Sequence, residues 1–120
     1  MKICVIFGGI STEHDVSIVS GTSVIKNLNK QKYQIIPMYI DKNGIWYRYL
    51  KDVNQINILK IGEQPIELEK VDNFVDIIRQ CDIIFPVLHG IGGEDGSIQG
   101  LCKILNKPIV GCGILASSIG

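Results

Sequence analysis

The opening of the chain constrains the fold more than any other feature. An apolar run, Lys2-Ile-Cys-Val-Ile-Phe7, is stopped by Gly8-Gly9, helical periodicity follows over residues 13–29, and a second apolar run occupies residues 33–40. A short, continuous apolar run suits a strand buried on both faces. Between the two runs, Val16, Val19, Ser20, Ser23, Val24 and Leu28 recur at helical spacing and form the expected inward face, and the polar stretch 30–32 closes the helix. Two buried strands separated by a helix are parallel neighbours, because parallel strands need a crossover. The chain therefore begins with a strand–helix–strand unit.

The middle differs in character. Asp41-Lys-Asn-Gly44 is a turn signal, residues 45–49 alternate enough for a short edge strand, and residues 54–69 hold two weak strand-like pieces around Gly62 and Pro65. This region reads as an antiparallel insertion or an irregular excursion. Regular alternation then returns. A short helix is expected over 72–80 with Phe74, Ile77 and Ile78 inward, and a buried strand over 82–88. A glycine-rich loop follows over 89–96, then a helix over 97–105 with Ile98, Leu101, Cys102 and Leu105 inward. A short strand over 107–111 and a helix starting near Ile114 complete the order. It predicts a doubly wound α/β fold: a mainly parallel sheet, helices on both faces, and an antiparallel edge insertion. Ile and Val together number 32, against 8 Leu and the single Ala116, so the helices must rely on packing rather than on propensity.

Composition removes several function classes. A chain of 120 residues that is 46% apolar supports one core, not two ordinary domains. Twelve basic and twelve acidic residues leave no positive stripe for a phosphate backbone, so no nucleic-acid partner is expected. The longest strictly apolar run, residues 3–7, is too short for a membrane span or a signal-peptide core, so a cytoplasmic protein is expected. Cys4, Cys81, Cys102 and Cys112 show no CxxC spacing and read as reduced, buried thiols; no metal-ligand set is expected.

In open α/β sheets ligands collect beyond the carboxyl ends of strands. Eight of the 13 glycines fall at three such places: Gly8 and Gly9; Gly90, Gly92, Gly93 and Gly96; Gly111 and Gly113. The first place lacks GxGxxG and GK[ST], and carries Glu13 and Asp15 at the helix start, where they would repel a phosphate. Either these are only favourable first-turn acids, or one of them meets a cationic group such as an ammonium. The second place reads His89-Gly-Ile-Gly-Gly-Glu-Asp-Gly96. Either Asp95 or Ser97 caps the next helix and His89 is a rim histidine, or Glu94 orients the His89 imidazole. Trp46, Tyr47 and Tyr49 read as edge packing rather than as a stacking platform.

The segments GGISTEHDVSIVSG and FPVLHGIGGEDGSIQGLCKILNKPIVGCGILASS resemble the N-terminal domain of D-alanine–D-alanine ligases. That family includes the D-alanine–D-lactate and D-alanine–D-serine ligases of vancomycin resistance. The resemblance implies a Rossmann-like, pre-ATP-grasp domain spanning residues 1–120, with the ATP-grasp domains lying beyond Gly120. It further implies a cytoplasmic, homodimeric ligase for peptidoglycan precursors and the cell wall. ATP would phosphorylate the carboxylate of a first D-alanine, and the amine of a second D-amino acid would attack the acyl phosphate. By the same resemblance Glu13 is the catalytic and substrate-binding acid on the ammonium of the first D-alanine, with Ser17 in its network. His89 lies near that substrate with Glu94 holding it, and Gly90 and Gly93 allow close backbone approach. ATP and Mg2+ (or Mn2+) belong outside this stretch. Asp15 stands where many members carry Glu, which preserves charge. The competing expectation is a stand-alone flavodoxin-like module for a small ligand, which would require the phosphate loops this chain lacks.

Overall fold

The structure, a computed structural model, describes residues 1–10, 12–88 and 103–110. Strand β1 (Lys2–Gly8) leads into helix α1 (His14–Asn27) and strand β2 (Gln34–Ile40); β3 (Trp46–Tyr49), β4 (Leu68–Lys70), helix α2 (Phe74–Gln80) and β5 (Ile83–Val87) follow. The five strands form one sheet in the order β4-β3-β2-β1-β5. β1 pairs in parallel with both β2 and β5, whereas β2–β3 and β3–β4 are antiparallel. The doubly wound, mainly parallel sheet with an antiparallel edge is therefore the observed architecture.

Alternation along β1 sorts the core. Ile3, Val5 and Phe7 face the layer that contains Ile18 and Ile25 of α1, while Cys4 and Ile6 face the layer that contains Ile78 of α2. The two helices thus cover opposite faces, as a doubly wound sheet requires. Cys4 and Cys81 are buried thiols on the α2 side, neither of them in a disulfide. The three aromatic residues of β3 pack at the edge: Trp46 stacks on Phe74 with ring centroids 4.2 Å apart, Tyr47 on Tyr39 at 6.1 Å, and Tyr49 meets Phe7 edge-on at 6.2 Å.

Two expectations need correction. The inward face of α1 is not the valine-rich one: His14, Ser17, Ile18, Gly21, Thr22 and Ile25 are buried, and Val16 is exposed. Gly21 explains the choice, because a Cβ there would run into the side chain of Phe7. The helix approaches β1 closely only along this small-residue face. Val19, Ser20, Ser23, Val24 and Leu28 are half-buried flanks. The second correction concerns only the first strand-like piece of residues 54–69: it is an irregular excursion, while Leu68 onward enters a strand antiparallel to β3, as the insertion reading expects. Positive φ at Gly62 (91°) and Glu67 (62°), with Pro65 between them, interrupts any ladder before Leu68. The excursion is nonetheless anchored: Ile56 is buried, and Leu59 N–H donates to Thr22 Oγ1 at 3.0 Å.

Near the end of the described residues, Ile109 forms a parallel bridge with Ile84 rather than a full strand. The expected glycine-rich loop 89–96, most of the expected helix 97–105, and the chain from residue 111 onward lie outside the described residues. Among the described residues no helix is long and apolar enough to cross a membrane.

Candidate functional site

β1 is the strand from which the connections diverge, one toward β2 and the other toward β5. The crevice beyond the carboxyl ends of β1 and β5 is therefore the topological switch point, where sheets of this kind bind ligands. Gly8 and Gly9 make the corner. Both have positive φ (96° and 99°), and a Cβ at Gly8 would collide with the Ile40 carbonyl oxygen. Gly9 N–H donates to that carbonyl at 2.8 Å, which ties the corner to the end of β2.

Ser17 ties the same corner to β5. Its Oγ accepts the Gly8 N–H at 2.8 Å and donates to the Val87 carbonyl. The side chain is fully buried, so its hydroxyl joins two strand ends instead of facing solvent. Glu13 occupies the N-cap position of α1, with its backbone carbonyl accepting the Ser17 N–H at 2.9 Å. Its side chain does not cap the helix and is exposed at the corner. Glu13 and Ser17 are therefore brought together as one turn of helix: the serine is the buried anchor and the glutamate the exposed charge. His89, Gly90, Gly93 and Glu94 lie outside the described residues.

Apolar periodicity gives no pointer to His14, yet it is the most connected side chain of the corner. It is 1% exposed. Nδ1 lies 2.5 Å from the Gly9 carbonyl oxygen and Nε2 lies 2.8 Å from the Tyr39 hydroxyl. The same Tyr39 hydroxyl lies 3.1 Å from Gln64 Oε1, so its single proton is shared between His14 Nε2 and that oxygen, and Gln64 Nε2 donates to Asp15 Oδ1 at 3.4 Å. Burial first, and then the Asp41 and Asp15 carboxylates, push the Tyr39 hydroxyl up to about 12. Asp41 goes the other way: burial opposes ionisation, but the N–H groups of Ile45 and Asn43 and the Tyr47 hydroxyl outweigh it and hold the carboxyl below its ordinary value. The signal that could have exposed this network is the spacing 14, 17, 18, 21, 22, 25, which is helical even though half of its members are polar.

An open cleft of about 280 Å³ lies beside this corner, lined by Ile10, Thr12, His14, Asp15 and Lys42. A larger one, about 360 Å³, opens at the other end of the strands between Met1, Gln34 and Asn54, where such sheets do not place ligands.

A mainly parallel sheet whose first strand turns at a glycine corner into a helix with Glu13 at its N-cap and Asp15 in its first turn defines a doubly wound α/β domain whose corner carries acids where a phosphate loop would carry none. Residues 2–112 match the family described as D-ala D-ala ligase N-terminus, and the chain belongs to that family. It is 45% identical to D-alanine--D-alanine ligase B of Clostridium tetani over 122 residues, covering 99% of this chain and 33% of that protein. Among solved structures it resembles the VanG D-Ala:D-Ser ligase of Enterococcus faecalis, with a TM-score of 0.71 and 39% identity over 97% of this chain and 37% of that one. The D-alanine--D-alanine ligase of Bacillus anthracis, solved in complex with ATP, gives a TM-score of 0.56 at 30% identity, covering 91% of this chain and 28% of that one. The chain spans about a third of the length of the curated relatives it matches.

Proposed function

We propose that this chain is the first-substrate domain of an ATP-dependent ligase joining D-alanine to a second D-amino acid. The reading includes a cytoplasmic, homodimeric parent enzyme that serves peptidoglycan synthesis, with residues 1–120 as its N-terminal domain. The observation that carries it is the exposed Glu13 at the N-cap of α1, which directly follows the Gly8-Gly9 corner at the carboxyl end of β1. In this reading Glu13 holds the ammonium of the first D-alanine. Such a charge-assisted contact is worth about 1.5–3 kcal/mol. That is enough to orient a small zwitterion and too little to bind it tightly alone. Ser17 acts beneath it by fixing the corner, and His89, Gly90, Gly93 and Glu94 are assigned to the same substrate by the family resemblance.

ATP and Mg2+ (or Mn2+) supply the phosphoryl group and its charge neutralisation elsewhere in such a ligase. The described residues do not fit them. Glu13 and Asp15 stand where a phosphate would meet the helix N-terminus. Among the described residues, no group of three or more His, Cys, Asp or Glu side chains is placed to hold a metal ion.

Glu13→Gln in the intact ligase tests the assignment. The variant should raise KM for the first D-alanine by about 10- to 100-fold, the loss of one charge-assisted contact, and leave KM for ATP unchanged. Unaltered dipeptide kinetics would remove Glu13 from the site.

A further inference from the structure

We propose that His14 is the positioning residue for Glu13: its imidazole closes the loop that carries the acid by donating Nδ1–H to the Gly9 carbonyl. The inference rests on the reading of Glu13 given above and extends it to a residue with no surface of its own. A backbone carbonyl can only accept, so the 2.5 Å contact places the proton on Nδ1. Gly9 is itself fixed, since its N–H is bonded to Ile40 and its φ is 99°. Gly9 and His14 are therefore bonded to each other, the first pinned to the end of β2 and the second the opening residue of α1, with Glu13 immediately before the closing residue.

The second ring nitrogen prevents the imidazole from swinging. Nε2 meets the Tyr39 hydroxyl at 2.8 Å, and the two rings lie edge-on with centroids 5.4 Å apart. Tyr39 is buried on β2, so the ring that closes the loop is braced against the sheet and not against solvent. A binding carboxylate must be held to a fraction of an ångström, and supporting groups with locked rotamers are what hold it there. Both nitrogens of this buried ring are engaged, at 2.5 and 2.8 Å, so the imidazole has one orientation and neither polar atom is left unpaired.

The two amide substitutions separate the two nitrogens. In His14→Asn the amide nitrogen stands near the place of Nδ1, so the bond to Gly9 survives and the link to Tyr39 is lost. In His14→Gln it stands nearer the place of Nε2, which reverses the pattern. In the intact ligase, His14→Ala should raise KM for the first D-alanine by about 10-fold or more while KM for ATP stays within about twofold, the signature of a misplaced binding group. His14→Asn should recover most of that loss, and His14→Gln should not. Where the alanine variant fails to fold, the Asn and Gln pair carries the comparison. Equal recovery by both, or a normal KM for D-alanine in His14→Gln, overturns the role of the Gly9 bond. If Glu13→Gln is damaging and the His14 variants are not, the reading of Glu13 stands and this inference falls; if Glu13→Gln is silent, both fall. An independent check uses this chain as it is: the ¹⁵N spectrum should show His14 protonated at Nδ1. A ring protonated at Nε2 alone would overturn the clamp.

Discussion

The two faces of the sheet are built on opposite terms. Under α2, the core consists of Cys4, Ile6, Ile36, Met38, Ile78, Cys81, Ile84 and their neighbours, with thiols as its most polar groups. Under α1, an equally apolar sheet surface of Ile3, Val5, Phe7, Ile35 and Val87 meets a helix that buries His14, Ser17 and Thr22. These are the buried polar side chains among the described residues, and all three belong to one helix. Each is bonded to something beyond that helix: Ser17 to β1 and β5, His14 to the Gly9 corner and β2, Thr22 to the excursion at Leu59. One helix is a cover, held by area removed from water. The other is a tie between the sheet end, the corner loop and the excursion, held by bonds that cannot be lost one at a time without leaving a partner stranded.

Truncation should separate these terms. On the α2 side Ile78→Ala should cost about 2–5 kcal/mol, mostly as cavity, and Ile78→Val only about 0.5–1.5 kcal/mol. Urea denaturation of this chain measures both, and a loss independent of the volume removed would contradict the area argument. On the α1 side Ser17→Ala removes a single oxygen, so area alone predicts almost nothing. The Gly8 N–H and the Val87 carbonyl would both be orphaned inside the protein, and the expected loss is about 1–3 kcal/mol. A Ser17→Ala variant as stable as the parent would erase the distinction between the faces.

Much of this was legible in the sequence, but unevenly. Strands and helices fall within a few residues of the positions that apolar runs and the Gly8-Gly9 stop indicate, because buried parallel strands leave an unmistakable continuous pattern. The inward face of α1 was misread for a physical reason. Counting valines rewards apolar area, whereas the helix turns its smallest residues to Phe7 and satisfies the polar ones individually. Residues 54–69 read as an antiparallel insertion or an irregular excursion, and both hold: backbone conformation at Gly62 and Glu67 interrupts the side-chain pattern, while Leu68 onward pairs antiparallel with β3. The place of Glu13 at the corner was legible, since an acid after a glycine stop is visible in one dimension. The bonds of His14 were not, because a histidine bonded at both nitrogens reads the same, letter by letter, as one in solvent, and its helical spacing with Ser17, Ile18 and Gly21 shows only the face it shares. Its partners, Gly9 and Tyr39, come from a strand end and the middle of an apolar run, and only the fold brings them together.

The smallest expected effect also distinguishes the faces, through pH. The Tyr39 hydroxyl is raised from its ordinary value of 10.0 to about 12, by burial first and then by Asp41 and Asp15. Between those values the unfolded chain has released the tyrosyl proton while the folded chain still holds it. The native state then binds more protons than the unfolded state, so stability falls as pH rises. The contribution is fully present below pH 10 and is lost as pH climbs through about 12. Tyr47 and Tyr49 are shifted in the same direction, by the Asp41 hydrogen bond and by burial respectively, so Tyr39→Phe should flatten the alkaline slope without abolishing it. Ile78→Val, which removes no titrating group, should lower the curve and keep its slope. Urea midpoints taken across the alkaline range for the three proteins give the answer. A Tyr39→Phe slope equal to that of the parent would mean that the hydroxyl between His14 and Gln64 is no more committed to its proton than a tyrosine in water, and the bracing of the corner against β2 would lose its thermodynamic signature.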